Sequence, residues 1–395
     1  MSSLVAGVVV AFVLVARFAP GDDGQQSLPS PKADSAMRVA AAQPKNRTID
    51  FRLEPDEVLT RVDQSLAELE TIVHQAGRAG CDALALPEDT LGLLNWEAAN
   101  AGRLDQVLPA AVGRLLDRLG QAAATYKMYL IVCSDTLAPD GAVHNTAYFL
   151  GRDGREIGRY QKVNLPLPEQ GRTRGNGFPV FETPDLGSVG MLICYDAMFP
   201  EAPRCLALAG ADVIFLPTLG GAAMGGEGDI NRAAFRTRAV ENFVWLVVAK
   251  RGGGSLIVSP QGTVVATAEG SDALAIADID PHGGRQGGDA FNLQPDMRGR
   301  LFRERVPEAY GILTDPDPPV LAKVPSNLTK EEAVRIMATA LTTGEERFRK
   351  AEQLIREGKT DEGIRLFNQL CDECPTSWIE RAARERLSKL PPKTQ

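Results

Sequence analysis

Histidine is scarce in this sequence: it occurs only at positions 74, 144 and 282 of the 395 residues. These positions are far apart and lack the spacing from cysteines or carboxylates that binds zinc. The sequence therefore predicts no metal site, and we expect no cofactor. If a thiol is catalytic, its base is expected to be a carboxylate, with His144 as the alternative.

Positive charge is also in deficit. The chain has 43 Lys and Arg against 51 Asp and Glu, which gives a net charge of -8, and no basic stripe interrupts this balance. Nucleic-acid-binding surfaces are strongly basic. The composition therefore argues against a nucleic-acid partner and favours an acidic, solvated surface.

Six cysteines are too few and too scattered for a disulfide framework in a chain of this length. Cys81, Cys133 and Cys205 lie in or beside apolar runs, and we expect them in the core. Cys371 and Cys374 form a CxxC sequence, but without a second such pair they are interpreted as two thiols on one helix face.

The sequence has no apolar run long enough to cross a bilayer, which takes roughly 20 residues. Its longest such run, residues 4–16 (LVAGVVVAFVLVA), has the length of a signal-peptide core, although no Lys or Arg precedes it. We expect export or membrane tethering, with a cytoplasmic protein as the alternative. Residues 1–36 are interpreted as this segment and a flexible linker.

Strand-like and helix-like segments alternate over residues 37–312. Short apolar runs such as DALALP, MYLIVCS, ADVIFLPT and FVWLVVAK alternate with segments of helical periodicity, for example residues 54–79. This alternation predicts an α/β domain with a mixed sheet covered by helices.

A proline-rich linker at 313–328 separates this domain from a helical tail, residues 329–395. Helices are predicted over 329–343 and 345–358, then after Thr360 and Thr376, with Thr329, Thr360 and Thr376 as N-caps and Gly358 as a stop. The pattern of helices in the tail is similar to that of one and a half tetratricopeptide units. Because fewer than three repeats cannot form a solenoid, we expect it to dock on the main domain or on a protein partner.

Three reactive groups each follow a predicted strand: Glu88, Lys162 and Cys194. Ligands of open α/β sheets bind at the carboxyl ends of strands. Taken singly, Glu88 could cap a helix, Lys162 could be a surface charge and Cys194 could be core. Their order and flanking sequences decide against those interpretations.

The segments RVAAAQ, ALALPED, GRYQKVNLP and GMLICYDAMFPE together resemble the nitrilase, or carbon-nitrogen hydrolase, superfamily. The resemblance implies a four-layer αββα sandwich with a small all-α C-terminal extension, and a homodimer or higher homo-oligomer. It also implies that Glu88 is the general base, Lys162 the stabiliser of the tetrahedral intermediate and Cys194 the nucleophile. Glu169 is the candidate for a second carboxylate.

The chemistry independently favours these residue types. A free thiol has a pKa of about 8.5, so a nearby carboxylate must take its proton when it attacks a carbonyl. Lys162 beside Glu88 would keep that carboxylate ionised and stabilise the oxyanion, with the Tyr195 N–H as a second donor. The tail contributes none of these groups, and we expect it to be accessory.

The order Cys194-Tyr195-Asp196 resembles the amide and N-carbamoyl branch of the superfamily rather than the nitrile branch. Candidate substrate contacts are Arg172, Arg174, Asp196 and Thr218. The sequence thus predicts hydrolysis of a small-molecule carbon-nitrogen bond through a thioester. The alternatives are an inactive hydrolase-like scaffold with a partner-binding tail, and an N-acyltransferase.

Overall fold

The structure, a computed structural model, describes residues 36–219, 230–284, 296–326, 328–373 and 378–390. Their strands are β1 (Met37–Gln43), β2 (Ala83–Ala85), β3 (Tyr129–Leu137), β4 (Val143–Leu150), β5 (Glu156–Gln161), β6 (Val180–Glu182), β7 (Ser188–Met191), β8 (Val213–Thr218), β9 (Trp245–Lys250), β10 (Leu256–Val258), β11 (Val264–Thr267) and β12 (Ala273–Ile279). Their α-helices are α1 (Pro55–Arg78), α2 (Leu94–Ala99), α3 (Leu108–Thr125), α4 (Glu201–Leu208), α5 (Ile230–Asn242), α6 (Met297–Arg303), α7 (Lys330–Arg356), α8 (Thr360–Glu373) and α9 (Trp378–Ser388).

The strands form two six-stranded sheets, ordered β12-β1-β2-β3-β4-β5 and β11-β10-β9-β8-β7-β6. In the first sheet β1, β2 and β3 are parallel, and in the second β7, β8 and β9 are parallel. The flanking pairs are antiparallel. Each sheet therefore has a parallel centre, and the parallel strands of one sheet end along a common edge.

The two sheets pack face to face and bury an apolar layer between them, including Val39, Phe149, Met191, Phe215 and Val247. Helices α1 and α3 pack on the outer face of the first sheet, and α4 and α5 on that of the second. This αββα sandwich confirms the predicted fold class.

The periodicity of α1 shows why the outer layer forms. Val58, Val62, Leu66, Leu69 and Val73 recur at helical spacing and are all fully buried. Full burial of such a side chain stabilises the fold by about 1.5–3 kcal/mol.

The tail consists of α7, α8 and α9 around a small core of their own, which includes Phe348, Phe367 and Ile379. Phe51 of the main domain joins this core, and its ring lies 5.6 Å from that of Phe348 in an edge-on arrangement. The tail thus packs on the main domain.

Helix α7 is continuous where the sequence predicts two helices. A Cβ at Gly344 would lie 2.2 Å from the Ile379 side chain, so this glycine permits close packing against α9 instead of ending a helix. Thr329 caps α7 as predicted, with its side chain accepting from the Glu332 N–H. The predicted cap at Thr376 lies outside the described residues.

Other differences are local. The short helix α2 was not predicted, because six residues show little periodicity. It precedes a 3-10 helix at Ala101–Gln106 and then α3, which begins at Leu108. Cys81 and Cys133 are buried, but Cys205 is exposed on α4, which corrects the expectation of a core position. Within the described ranges, no helix has the length and apolarity needed to cross a membrane. The apolar run at residues 4–16 lies outside those ranges.

Candidate active site

The three predicted reactive groups come from the two facing sheets. Glu88 follows β2 and Lys162 follows β5 of the first sheet, whereas Cys194 follows β7 of the second. Glu169 ends a 3-10 helix at Leu167–Glu169, in the loop between β5 and β6. The structure brings these four side chains together.

Lys162 lies at the centre of the cluster and is fully buried. Its Nζ is 2.9 Å from Glu88 Oε1, 2.8 Å from Glu169 Oε1 and 2.9 Å from Glu169 Oε2. A buried cation needs charge partners of this kind, because an isolated charge strongly disfavours leaving water.

Two further hydrogen-bond donors hold the Glu88 carboxylate in position. The Asn145 side chain donates to Glu88 Oε1 at 2.8 Å, and the Leu219 N–H donates to Oε2 at 3.1 Å. The Asn145 side chain itself accepts from the Cys133 thiol. Sequence reasoning missed Asn145, although a polar residue within the apolar strand β4 is a usable signal.

The pKa values follow from this arrangement. Burial by itself raises the pKa of Glu88, but the charge of Lys162 and hydrogen bonds from Lys162 and Asn145 outweigh burial and leave that pKa below its ordinary value. Burial lowers the pKa of Lys162, but Glu88 and Glu169 more than compensate, so it lies above its ordinary value. The pKa of Glu169 is raised, mainly by burial and against the effect of Lys162.

Cys194 occupies a strained position. Its φ is +46°, in the left-handed region that non-glycine residues rarely adopt, and it begins the 3-10 helix Cys194–Met198. Such a conformation costs about 1–3 kcal/mol and must be held by its surroundings. Cys194 is partly exposed, and its thiol is near enough to Glu88 and Thr218 for both groups to shift its pKa.

The thiol is protonated at neutral pH. Burial, and next the negative charge of Glu88, raise the pKa of Cys194 to about 12 against the opposing effect of Lys162. Glu88, the carboxylate that acts most strongly on this thiol, is therefore an available acceptor for its proton.

The backbone next to Cys194 presents a donor. Among the described residues, none accepts a hydrogen bond from the Tyr195 N–H. The Tyr195 ring packs edge-on against Phe199, with centroids 5.2 Å apart. This N–H and Lys162 Nζ are the available donors for a negatively charged oxygen on a carbon bonded to Cys194.

Asp196 was expected to contact the substrate, but the structure places it in a different environment. It is fully buried, and its oxygens accept from Tyr160 Oη at 2.7 Å, the Asn164 N–H at 2.9 Å, the Asn164 side chain at 3.0 Å and the Ile193 N–H at 3.0 Å. Burial raises the pKa of Asp196 despite these hydrogen bonds. Asp196 therefore ties the turn at Cys194 to the loop that follows Lys162.

The two arginines named as candidate substrate contacts are placed differently from each other. Arg172 forms ion pairs with Asp135 and, at 3.4 Å, with Glu97, both of them buried. The positive charge of Arg172 is therefore paired with carboxylates of the protein itself. Arg174 is exposed and forms no ion pair with any described residue.

Sequence reasoning also missed Asp89 and Arg251, which position Glu88. The next residue, Asp89, also has a positive φ, +48°, and its Oδ1 accepts from the Leu93 N–H at 2.7 Å, at the start of α2. Arg251 binds Asp89 Oδ2 at 2.8 Å. This pair fixes the loop from which Glu88 projects.

The described residues hold no group of three or more His, Cys, Asp or Glu side chains arranged to bind a metal ion. The chemical groups available at the site are thus a thiol, two carboxylates, an ammonium group and a backbone N–H. Together they can support nucleophilic attack on a carbonyl carbon with acid-base catalysis.

The chain is similar to several known proteins. A family model described as carbon-nitrogen hydrolase matches residues 38–287. A deaminated glutathione amidase from Synechocystis sp. is 29% identical over 265 residues, covering 60% of this chain and 93% of that protein. A Pseudomonas protegens protein described as a hydrolase in the pqqF 5' region is 30% identical over 292 residues, covering 70% and 92%.

A solved structure shares the fold. It is a mutant of an amidase from Nesterenkonia sp. AN1 whose active-site cysteine carries the acetamide moiety of fluoroacetamide. The TM-score is 0.56 at 22% identity, and the match covers 72% of this chain and 99% of that one.

Proposed function

Because this chain belongs to the carbon-nitrogen hydrolase family, we propose that it hydrolyses the amide bond of a small molecule through a thioester on Cys194. The observation that carries the proposal is that Glu88, which lies 2.9 Å from the buried Lys162 ammonium group, is also the carboxylate that acts most strongly on the Cys194 thiol. Nucleophile, base and oxyanion donor are thereby within reach of one carbonyl carbon.

The first half-reaction forms the thioester. As Cys194 Sγ attacks the carbonyl carbon, Glu88 takes the thiol proton, because a thiol with a pKa of about 12 is not ionised in advance. The carbonyl oxygen becomes an oxyanion that accepts from Lys162 Nζ and the Tyr195 N–H. When the intermediate collapses, the carbon-nitrogen bond breaks, and Glu88 returns the proton to the leaving nitrogen as ammonia or an amine departs.

The second half-reaction frees the acid. Water attacks the thioester carbon while Glu88 takes one of its protons, and the same two donors stabilise the second oxyanion. The carbon-sulfur bond then breaks, the carboxylic acid leaves, and the proton returns to Cys194. Throughout, Glu169 and Glu88 together hold the Lys162 ammonium group in place.

Two observations support an amide rather than a nitrile as the substrate. The Asp196 carboxylate buttresses the turn at Cys194 in the order Cys-Tyr-Asp, which resembles the amide branch. The Synechocystis relative carries the name of an amidase. Carbamoyl compounds are the second substrate class, because they present the same carbonyl carbon with a nitrogen leaving group.

The test is an ammonia-release screen over aliphatic amides, ω-amides of dicarboxylic acids, carbamoyl amines and carbamoyl amino acids. We expect release from at least one class by the wild-type protein and none by Cys194→Ala. Adding hydroxylamine separates the alternatives: an acyltransferase forms hydroxamate in preference to free acid, whereas an inactive scaffold releases nothing. Equal release by wild type and Cys194→Ala would refute the proposal.

A further inference from the structure

The helical tail borders both loops that carry the catalytic carboxylates. Helix α9 packs against α2, which follows the Glu88 loop, and α7 also contacts α2. Helix α7 contacts the 3-10 helix Leu167–Glu169 as well. The tail therefore contacts elements that adjoin both loops, although it falls outside the region that matches the family model.

One side chain of α9 reaches towards the site. Arg381 Nη2 donates to Asn95 Oδ1 on α2 at 2.8 Å, and Asn95 is itself buried. The two residues are 286 positions apart in the sequence. This contact places the Arg381 guanidinium at the helix that begins five residues after Asp89.

Arg381 is exposed, although it is bound to the buried Asn95. Desolvation lowers the pKa of its guanidinium group, and the charge of Arg251 acts in the same direction, whereas Asp89, Glu380 and Glu88 act in the opposite direction. The charge of Arg381 is therefore felt by the same group of residues that surrounds the catalytic base.

Arg381 also differs from the other arginines near the site in its partners. Arg251 is paired with Asp89, and Arg172 with Asp135. Arg381 contacts a neutral amide, and no carboxylate among the described residues forms an ion pair with it. Its positive charge is therefore available to an anion from solution.

We propose that Arg381 binds a carboxylate group of the substrate, at the end remote from the scissile amide, so that the tail contributes to substrate selection. The guanidinium group has five N–H donors in a planar fork that suits a carboxylate, and Asn95 uses one of them. The substrate class is then an amide that also carries a carboxylate, such as an ω-amide of a dicarboxylic acid. This inference rests on the proposed function.

The experiment compares matched amides that differ in charge. Succinamate, glutaramate and adipamate are each paired with the neutral amide in which a methyl group replaces the carboxylate, and kcat/KM is measured for wild type, Arg381→Met and Arg384→Met. Arg384 lies one turn along α9, where it pairs with Glu380 at 2.8 Å and is largely exposed, so it is the matched control.

We expect Arg381→Met to lower kcat/KM for the preferred carboxylate-bearing amide at least tenfold and to leave its neutral partner within about twofold. Arg384→Met should change neither value, and Arg381→Lys should restore part of the loss. A charge preference that is the same in wild type and Arg381→Met would overturn the inference. Equal losses for charged and neutral amides, with a lowered melting temperature, would also overturn it, because Arg381 would then only hold the tail in place.

A binding measurement separates this inference from the proposed function. The dicarboxylate products are titrated calorimetrically into Cys194→Ala protein with and without the additional Arg381→Met change. If no amide is hydrolysed but dicarboxylate binding still weakens at least tenfold without Arg381, the hydrolase proposal fails while the anion site stands. If amides are hydrolysed and binding is unaffected by Arg381, the anion site fails alone.

Discussion

Replacing Lys162 by methionine removes the positive charge that lies between two buried carboxylates. Methionine keeps the apolar length of the side chain, but Glu88 and Glu169, both within 2.9 Å of Lys162 Nζ, lose their counter-ion. Breaking a buried ion pair by removing one partner costs about 3–5 kcal/mol. We expect Lys162→Met to be destabilised by that amount at neutral pH.

The loss should depend on pH with a defined sign. Without Lys162, burial is the largest influence on both carboxylates, so the pKa of Glu88 moves from below its ordinary value to above it and that of Glu169 rises further. A folded-state pKa above the unfolded one makes stability fall as pH rises above the ordinary value of about 4.3, by up to about 1.4 kcal/mol per pH unit for each carboxylate.

The wild-type protein should behave differently. The lowered pKa of Glu88 contributes stability that is present above its ordinary pKa and is lost as pH falls through the folded value. The pKa of Glu169 is already raised, so this residue makes the stability of the wild type fall slightly as pH rises. Lys162→Met should therefore approach wild-type stability near pH 4.5 and fall well below it near pH 8.

Activity should fall for two reasons. Loss of one oxyanion donor typically lowers kcat about 10²–10³-fold. In addition, Glu88 accepts the thiol proton only when it is ionised, so the acidic limb of the profile of kcat/KM against pH should move to higher pH.

The assay combines melting curves with ammonia release between pH 4.5 and 9. Lys45→Met is the control, because Lys45 forms a half-exposed ion pair with Glu68 at 3.1 Å, which should be worth no more than about 1 kcal/mol. A destabilisation of Lys162→Met that is equal at pH 5 and pH 8 would contradict the assignment of two buried carboxylates. Retention of more than a tenth of wild-type kcat would contradict the oxyanion role.

Four other predictions concern the nucleophile and its base, the acyl adduct, the Asp196 contacts and the N-terminus. Cys194→Ala should abolish turnover at a stability cost of about 1 kcal/mol, Glu88→Gln should lower kcat by orders of magnitude, and their double variant should be no worse than Cys194→Ala alone. Mass spectrometry with a slow substrate should find an acyl adduct on Cys194, and an adduct on Cys81, Cys133 or Cys205 would contradict the assignment. Asp196→Asn should lower the free energy of unfolding by about 1–3 kcal/mol, because it alters a buried group that accepts four hydrogen bonds. It should lower kcat without a comparable rise in KM, because Asp196 is bound by protein groups and not by the substrate. An unchanged melting temperature and kcat would contradict this supporting role. N-terminal sequencing of native protein should show removal of residues 4–16, or fractionation should find the protein at the membrane, whereas an intact N-terminus in the soluble cytoplasmic fraction would contradict export.

Local physical chemistry made much of the fold predictable. The recurrence of apolar residues at helical spacing in α1, the threonine cap of α7 at Thr329 and the alternation of strands and helices are all properties of neighbouring residues. The positions of Glu88, Lys162 and Cys194 after predicted strands are of the same kind, and sequence resemblance linked them to one chemistry. In each case the signal lies within a segment of about thirty residues.

Contacts between distant segments were decided only by the tertiary structure. Asn145 binds Glu88 across 57 positions and Arg381 binds Asn95 across 286, and no local pattern marks either partner. The environment of Asp196 was also decided by distant contacts. Its local sequence favours a substrate contact, but its carboxylate accepts hydrogen bonds from Tyr160 and Asn164. Gly344 is typical of a helix end in sequence, yet α7 continues through it because α9 packs there and needs the space that a side chain would fill.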